Sequence, residues 1–261
     1  MFRSSNPTLS PKIFDQAREY GAGESMTIQG TVNKCFIMLF LIFVTAAWVW
    51  GKVMQPVGPF SDEQTIIQSA GKVLMYGQIG ALVAFVLVIV TSFNLKLATF
   101  TAPLYALCEG LALGGFSAYM EYRYPGIAMQ AVALTFGVLF ALLSAYKSGM
   151  IKVTDKFVAI ATSALMGIVL IYVVGWIMSF FGARIPLIHE SGPVGIGFSL
   201  FVCALAASFL VIDFDRIAQY SERGLPKYME WYSALSLMIT LIWLYLEILI
   251  LLAKLRGGDR R

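Results

Sequence analysis

Long apolar runs broken by short polar connections dominate this chain. Seven runs carry few or no charges, approximately Cys35 to Met54, Val73 to Phe93, Leu97 to Met120, Ile127 to Tyr146, Phe157 to Phe181, Val194 to Ile212 and Met229 to Ala253. A helix of roughly 20 apolar residues crosses a bilayer, whereas barrel strands need alternating segments of about ten. The runs are continuous and twice that length. The pattern therefore predicts an all-α membrane protein, a bundle of seven transmembrane helices.

The connections fit this reading. Pro125-Gly126, Gly182 to Pro186 and Gly192-Pro193 stand where helices should end. Only the stretch from Gln55 to Gln68 is long, and nothing suggests a second soluble domain or an internal repeat of the inverted-transporter kind. The expected organisation is a polar N-terminal tail, 1–34, a transmembrane domain, 35–254, and a basic C-terminal tail, 255–261. Ser10-Pro11 has the form of a cap and first helical position, which predicts a short surface helix in the tail. No apolar core of a secretory signal lies near Met1, so the tail is expected to be retained.

Composition narrows the class further. Residues are 59% hydrophobic and 13% charged, with a mean hydropathy of +0.77, and globular domains run nearer a quarter charged. Such a chain belongs in lipid. Arg3, Lys12, Arg18 and Lys34 in the tail, Lys147, Lys152 and Lys156 after the fourth run, and Arg216, Arg223 and Lys227 after the sixth predict a cytoplasmic side. Seven crossings would put the basic end, Lys254, Arg256, Arg260 and Arg261, on the other side, against the same rule. The net charge of +4 reads as topology and lipid anchoring, with no case for nucleic acid.

Little in the chain suggests catalysis. Cys35, Cys108 and Cys203 are isolated within or at the edge of apolar runs, which reads as small buried side chains. His189, the single histidine, lies beside Glu190 in a Gly/Pro-bounded loop, and one histidine cannot build a zinc site. There is no P-loop, nucleophile elbow or HExxH, so neither an enzyme nor a cofactor is expected.

Acidic residues within the runs carry the chemistry, because a carboxylate at membrane depth is expensive unless it faces protein or water. Glu109 stands near the middle of the third run, directly before Gly110 and Gly114, whose spacing lets another helix approach closely. Asp213 and Asp215 end the sixth run. Two residues is about 200° around a helix, so they cannot share a neighbour at one depth. Arg216 follows and offers a latch. In the seventh run Thr240, Trp243 and Glu247 fall on one face. Glu230, Tyr228, Trp231 and Tyr232 suit an interfacial belt.

These residues also resemble a family. Ala102-Pro103-Leu104-Tyr105 with Glu109-Gly110, Ile212-Asp213-Phe214-Asp215-Arg216-Ile217, Ala234-Leu235-Ser236-Leu237, Leu244-Tyr245-Leu246-Glu247 and the opening Arg3-Ser4-Ser5-Asn6-Pro7 and Met26 to Lys34 look like the Bax inhibitor family, bacterial branch. The resemblance implies six helices around a central seventh and a pH-sensitive calcium leak across the bacterial cytoplasmic membrane. It implies that Asp213 meets a carboxylate of the seventh helix and shares a proton with it when closed. The chain departs here. One alignment puts Thr240 at the partner position and another puts Glu247 there. An arginine that latches the pair from the second helix in some relatives has no counterpart, since that run offers Gln78 and Lys72.

The expected site is therefore Asp213, Asp215, Glu109, Glu247 and Thr240, with Arg216 as latch and transient cation contact at Asp213. Close carboxylates cannot both ionise cheaply, so losing a shared proton would push the helices apart and admit a hard cation. Two other classes stay open: a non-transporting regulator bound to a membrane protease or stress-response complex, and a proton-coupled transporter with Glu109 as relay.

Overall fold

A computed structural model describes residues 24–54, 63–180 and 192–258. The Ser10-Pro11 turn, His189 and the terminal arginines lie outside the described residues. Seven α-helices follow one another: α1 (Ile28–Met54), α2 (Glu63–Phe93), α3 (Ala98–Arg123), α4 (Ile127–Lys147), α5 (Asp155–Phe180), α6 (Pro193–Glu222) and α7 (Met229–Gly258), with a 3-10 turn at Leu95–Leu97 before α3. Among the described residues there is no strand beyond one isolated bridge, between Ser25 and Pro226. The protein is an all-α membrane protein. Six helices are long and apolar enough to cross a bilayer, and α2 contributes a shorter apolar stretch, Gly77–Phe93.

Every helix matches an apolar run, but several extend past it. Ile28 to Lys34, read as tail, already belongs to α1, and α6 continues beyond Asp213 to Glu222. Helical hydrogen bonds do not stop where hydrophobicity stops; they stop at caps. Pro193 opens α6, where its missing N–H costs nothing. Gly224 closes it with φ 64°, the left-handed turn that glycine adopts without strain. Around it, the Gly224 N–H reaches the Ser221 carbonyl and the Leu225 N–H reaches Tyr220. At the start of α4, the Glu121 carboxylate accepts from the N–H groups of Gly126 at 2.5 Å and Ala128 at 3.1 Å.

Large apolar side chains such as Phe36, Phe40, Phe85, Phe100, Phe140, Ile160 and Leu170 are exposed, which a protein in water could not sustain over such areas. By packing, the described chain divides into two units. One comprises the chain through Tyr119 with Arg216–Met238; the other comprises Met120–Asp215 with Ile239–Arg261.

In the first unit, glycines set the contacts of α3 with two neighbours, its own against α1 and one of α2 against it. A Cβ at Gly110 would overlap the Thr45 hydroxyl and stand 2.6 Å from the Ile42 carbonyl oxygen; one at Gly114 would stand 2.7 Å from that of Ala46. The Gly-x-x-x-Gly spacing thus brings the α1 backbone against α3. On the α2 side, a Cβ at Gly80 would stand 2.6 Å from the Cys108 carbonyl oxygen, and Thr91 and Thr101 pair their hydroxyls at 2.6 Å.

The segment before α1 is stitched to the α6–α7 turn in the same unit. The Met26 N–H donates to the Leu225 carbonyl at 2.7 Å and the Lys227 N–H to that of Glu24 at 3.0 Å. Met26 buries itself with Tyr220, Leu225 and Met229, and Lys227 pairs with Glu24 in the open. Glu230, 2% exposed, ion-pairs with Lys34 and accepts from the backbone N–H of Thr27 at 2.9 Å and its hydroxyl at 3.1 Å. It thereby caps the start of α1 from another helix.

In the second unit, α5, α6 and α7 share an apolar core of Ala161, Ile168, Val202, Leu205 and Ile212 with Trp243 against it. At the far end, Arg256 of α7 donates to the Pro125 carbonyl at 2.7 Å and to Gln130 at 2.9 Å.

Candidate ion site on the sixth and seventh helices

Within the second unit, α6 and α7 bring polar groups together along one seam. The Thr240 hydroxyl donates to Asp213 Oδ2 at 2.6 Å, and Asp213 is 4% exposed. Farther along, Lys254 Nζ donates to Ser199 Oγ at 2.7 Å and to the Gly195 carbonyl at 3.1 Å. From Thr240 to Lys254 is the same number of residues as from Asp213 back to Ser199, so the helices run antiparallel and in register over that distance. At 1.5 Å per residue the seam is about 21 Å long.

Glu247 lies midway between Thr240 and Lys254 on the same face, since seven residues return nearly to the starting angle. It is 8% exposed, and Trp243 Nε1 donates to its Oε1 at 3.2 Å. Cys203 of α6, Tyr172 of α5 and Lys254 lie within range of its charge. Seven residues of rise separate it axially from Thr240 by about 10 Å, too far for Glu247 and a carboxylate bonded to Thr240 to share one proton directly. The structure thus brings Asp213 to Thr240 and leaves Glu247 as a separate station.

The two aspartates of α6 diverge, as the 200° between them requires. Asp213 meets α7, while half-buried Asp215 accepts from the Tyr146 hydroxyl of α4 at 3.1 Å. Arg216 is half-buried and makes no ion pair among the described residues. In the first unit, Glu109 is half-buried one residue before the Gly110 contact. Among the described residues, no three His, Cys, Asp or Glu side chains converge as a metal site. None of the three cysteines forms a disulfide.

Asp213 is buried on the penultimate helix and bonded to the last one through the Thr240 hydroxyl, where the motifs around Asp213 and Glu247 implied a carboxylate partner. The match to a family extends far beyond those motifs, covering residues 6–257 with the Bax inhibitor 1 like family. The chain belongs to that family. No curated protein and no solved structure matches it. As a member of the Bax inhibitor 1 like family it is an integral, multi-pass membrane protein surrounded by the lipid bilayer.

Two residues of the seam had no role in the sequence reading. Lys254 reads as part of the basic end, although its spacing of seven from Glu247 puts it on the Thr240 face. Ser199 is a single hydroxyl in an apolar run, and only the register of α6 against α7 gives it a partner.

Proposed function

We propose that the protein is a pH-sensitive calcium leak channel of a bacterial cytoplasmic membrane, gated by carboxylates on α6 and α7, with a cytoplasmic N-terminus and α2 completing seven crossings. The observation that carries this reading is Asp213, an almost fully buried carboxyl at the α6–α7 contact, bonded to Thr240. A charge in such a place is costly unless water or a cation reaches it. With Asp213 protonated, a neutral hydrogen-bonded pair closes the contact. Loss of the proton leaves a charge that draws in water and loosens α6 from α7. Carboxylate, hydroxyl and carbonyl oxygens along the seam then suit a hard cation such as calcium.

Thr240 stands where a second acid would form a proton-sharing dyad, so gating in this chain rests on one carboxyl and one hydroxyl, with Glu247 as the next oxygen station. Asp215, bonded to Tyr146, flanks the gate on the α6 side. Glu109, half-buried on α3, is a separate carboxyl.

Purified protein in calcium-dye liposomes tests this. Flux that varies with pH, and that is lost or loses its pH response in Asp213→Asn, is the expected result. Unchanged flux and pH response in that variant removes Asp213 from the gate. Absence of flux across the pH range, with a membrane protein retained through purification, favours the non-transporting regulator instead.

A further inference from the structure

Lys254 is placed where its chemistry is least expected. A lysine near the end of a spanning helix ordinarily extends its stem outward and keeps its ammonium in water. Here the side chain turns inward along α7 and binds Ser199, itself 2% exposed, and the Gly195 carbonyl in the first turn of α6. The N-terminus of α6 carries the positive end of that helix dipole, which disfavours a cation there. The C-terminal end of α7 and the charge of Glu247, one turn pair below, favour it. What holds the ammonium at the mouth of the seam is thus a specific set of oxygens.

Those oxygens are the kind that would replace the hydration shell of a passing metal cation. We propose that Lys254 is a built-in blocking cation: its ammonium occupies the oxygen-lined end of the α6–α7 seam and keeps small cations from entering or leaving beyond Glu247. The ammonium repels a second cation at contact distance, and its four-carbon stem lets it withdraw when the helices loosen. Trp243 donates to Glu247 and fixes that carboxylate.

This inference rests on the seam being the cation path, so its test must separate the two. Lys254→Met removes the charge and keeps the stem; Lys254→Arg keeps a charge and donors; Asp213→Asn reports on the gate. All three are reconstituted with wild type in liposomes after size exclusion confirms a monodisperse peak, and calcium and potassium fluxes are recorded. The expected result is a severalfold faster leak in Lys254→Met, with Lys254→Arg close to wild type. Ser199→Ala, which loosens the ammonium without removing it, should lie between them. Lys254→Met with wild-type flux while Asp213→Asn alters flux overturns the plug and leaves the gate standing. No flux in wild type and none in Lys254→Met overturns the path itself, and the plug with it.

Discussion

Thr240 and Asp213, 27 residues apart in sequence, are joined by a 2.6 Å hydrogen bond in which the hydroxyl donates to the carboxylate. The bond ties α6 to α7 at a point almost closed to solvent. A hydrogen bond within a neutral pair contributes about 0.5–1.5 kcal/mol. Thr240→Val, which keeps the shape and removes the donor, should therefore lower the thermal stability of the detergent-solubilised protein by a few degrees. A melting curve identical to wild type would show that the bond contributes nothing.

Replacing the hydroxyl by a second acid tests the gate from the other direction. Thr240→Asp places two carboxyls at hydrogen-bond distance, where they share one proton. Calcium flux in this variant should show a steeper pH dependence than wild type across acidic to neutral pH, and combining it with Asp213→Asn should remove the gain. Superimposable flux–pH curves for Thr240→Asp and wild type would contradict that.

Gly30 sits against Glu230 so closely that a Cβ there would overlap the carboxylate. Gly30→Ala must displace a carboxylate that is ion-paired with Lys34 and bonded to Thr27. Overpacking typically costs about 1–3 kcal/mol, and breaking a buried pair by removing one partner about 3–5 kcal/mol. The melting temperature should fall in Gly30→Ala and fall further in Glu230→Gln, whereas alanine at Gly137, which has open space around its Cβ position, should leave it unchanged or slightly higher.

Gly110→Ala and Gly114→Ala should both weaken the α1–α3 contact, because each Cβ meets backbone at 2.6–2.9 Å and backbone cannot rotate away. Distances between spin labels on α1 and α3, measured by pulsed electron resonance, should lengthen in both variants. An unchanged distance in the double variant would show that the helices do not approach through these glycines.

The pair Lys227–Glu24 lies in the open, and its pH behaviour has a definite sign. Lys227, through its hydrogen bond and charge, holds the Glu24 carboxyl below its ordinary value of 4.5; Glu24 in turn raises the Lys227 ammonium above 10.5. The contribution of Glu24 is present above the unfolded value and lost as pH falls through the folded one; that of Lys227 is present below 10.5 and lost as pH rises past its raised value. Wild type should therefore melt slightly above Glu24→Gln at neutral pH. The difference should vanish in strong acid and shrink in high salt, as an exposed pair requires. A difference that survives acid would assign it to something other than the ion pair.

Much of the frame was legible in the sequence. Each apolar run is a helix because backbone groups in lipid must bond within their own segment, and that is a local condition. The Gly110–Gly114 spacing announced a close helix contact, and the angle between Asp213 and Asp215 required them to separate. Other features were beyond its reach. Glu230 read as an interfacial acid, yet its carboxylate caps α1 across 203 residues. The sequence left Thr240 and Glu247 as alternatives, and neither spacing nor motif decides between them.

What the chain alone determines, then, is where helices lie and which of their faces carry polar groups, since hydrophobicity over twenty-odd residues and 3.6-residue periodicity are properties of contiguous chain. What only the folded structure decides is which of those faces meet and at what register: Thr240 against Asp213, Lys254 against Ser199 and Glu230 against Thr27. Register is set by side-chain packing between segments far apart in sequence. A slide of one turn, roughly 5 Å, would pair different residues while leaving every helix intact.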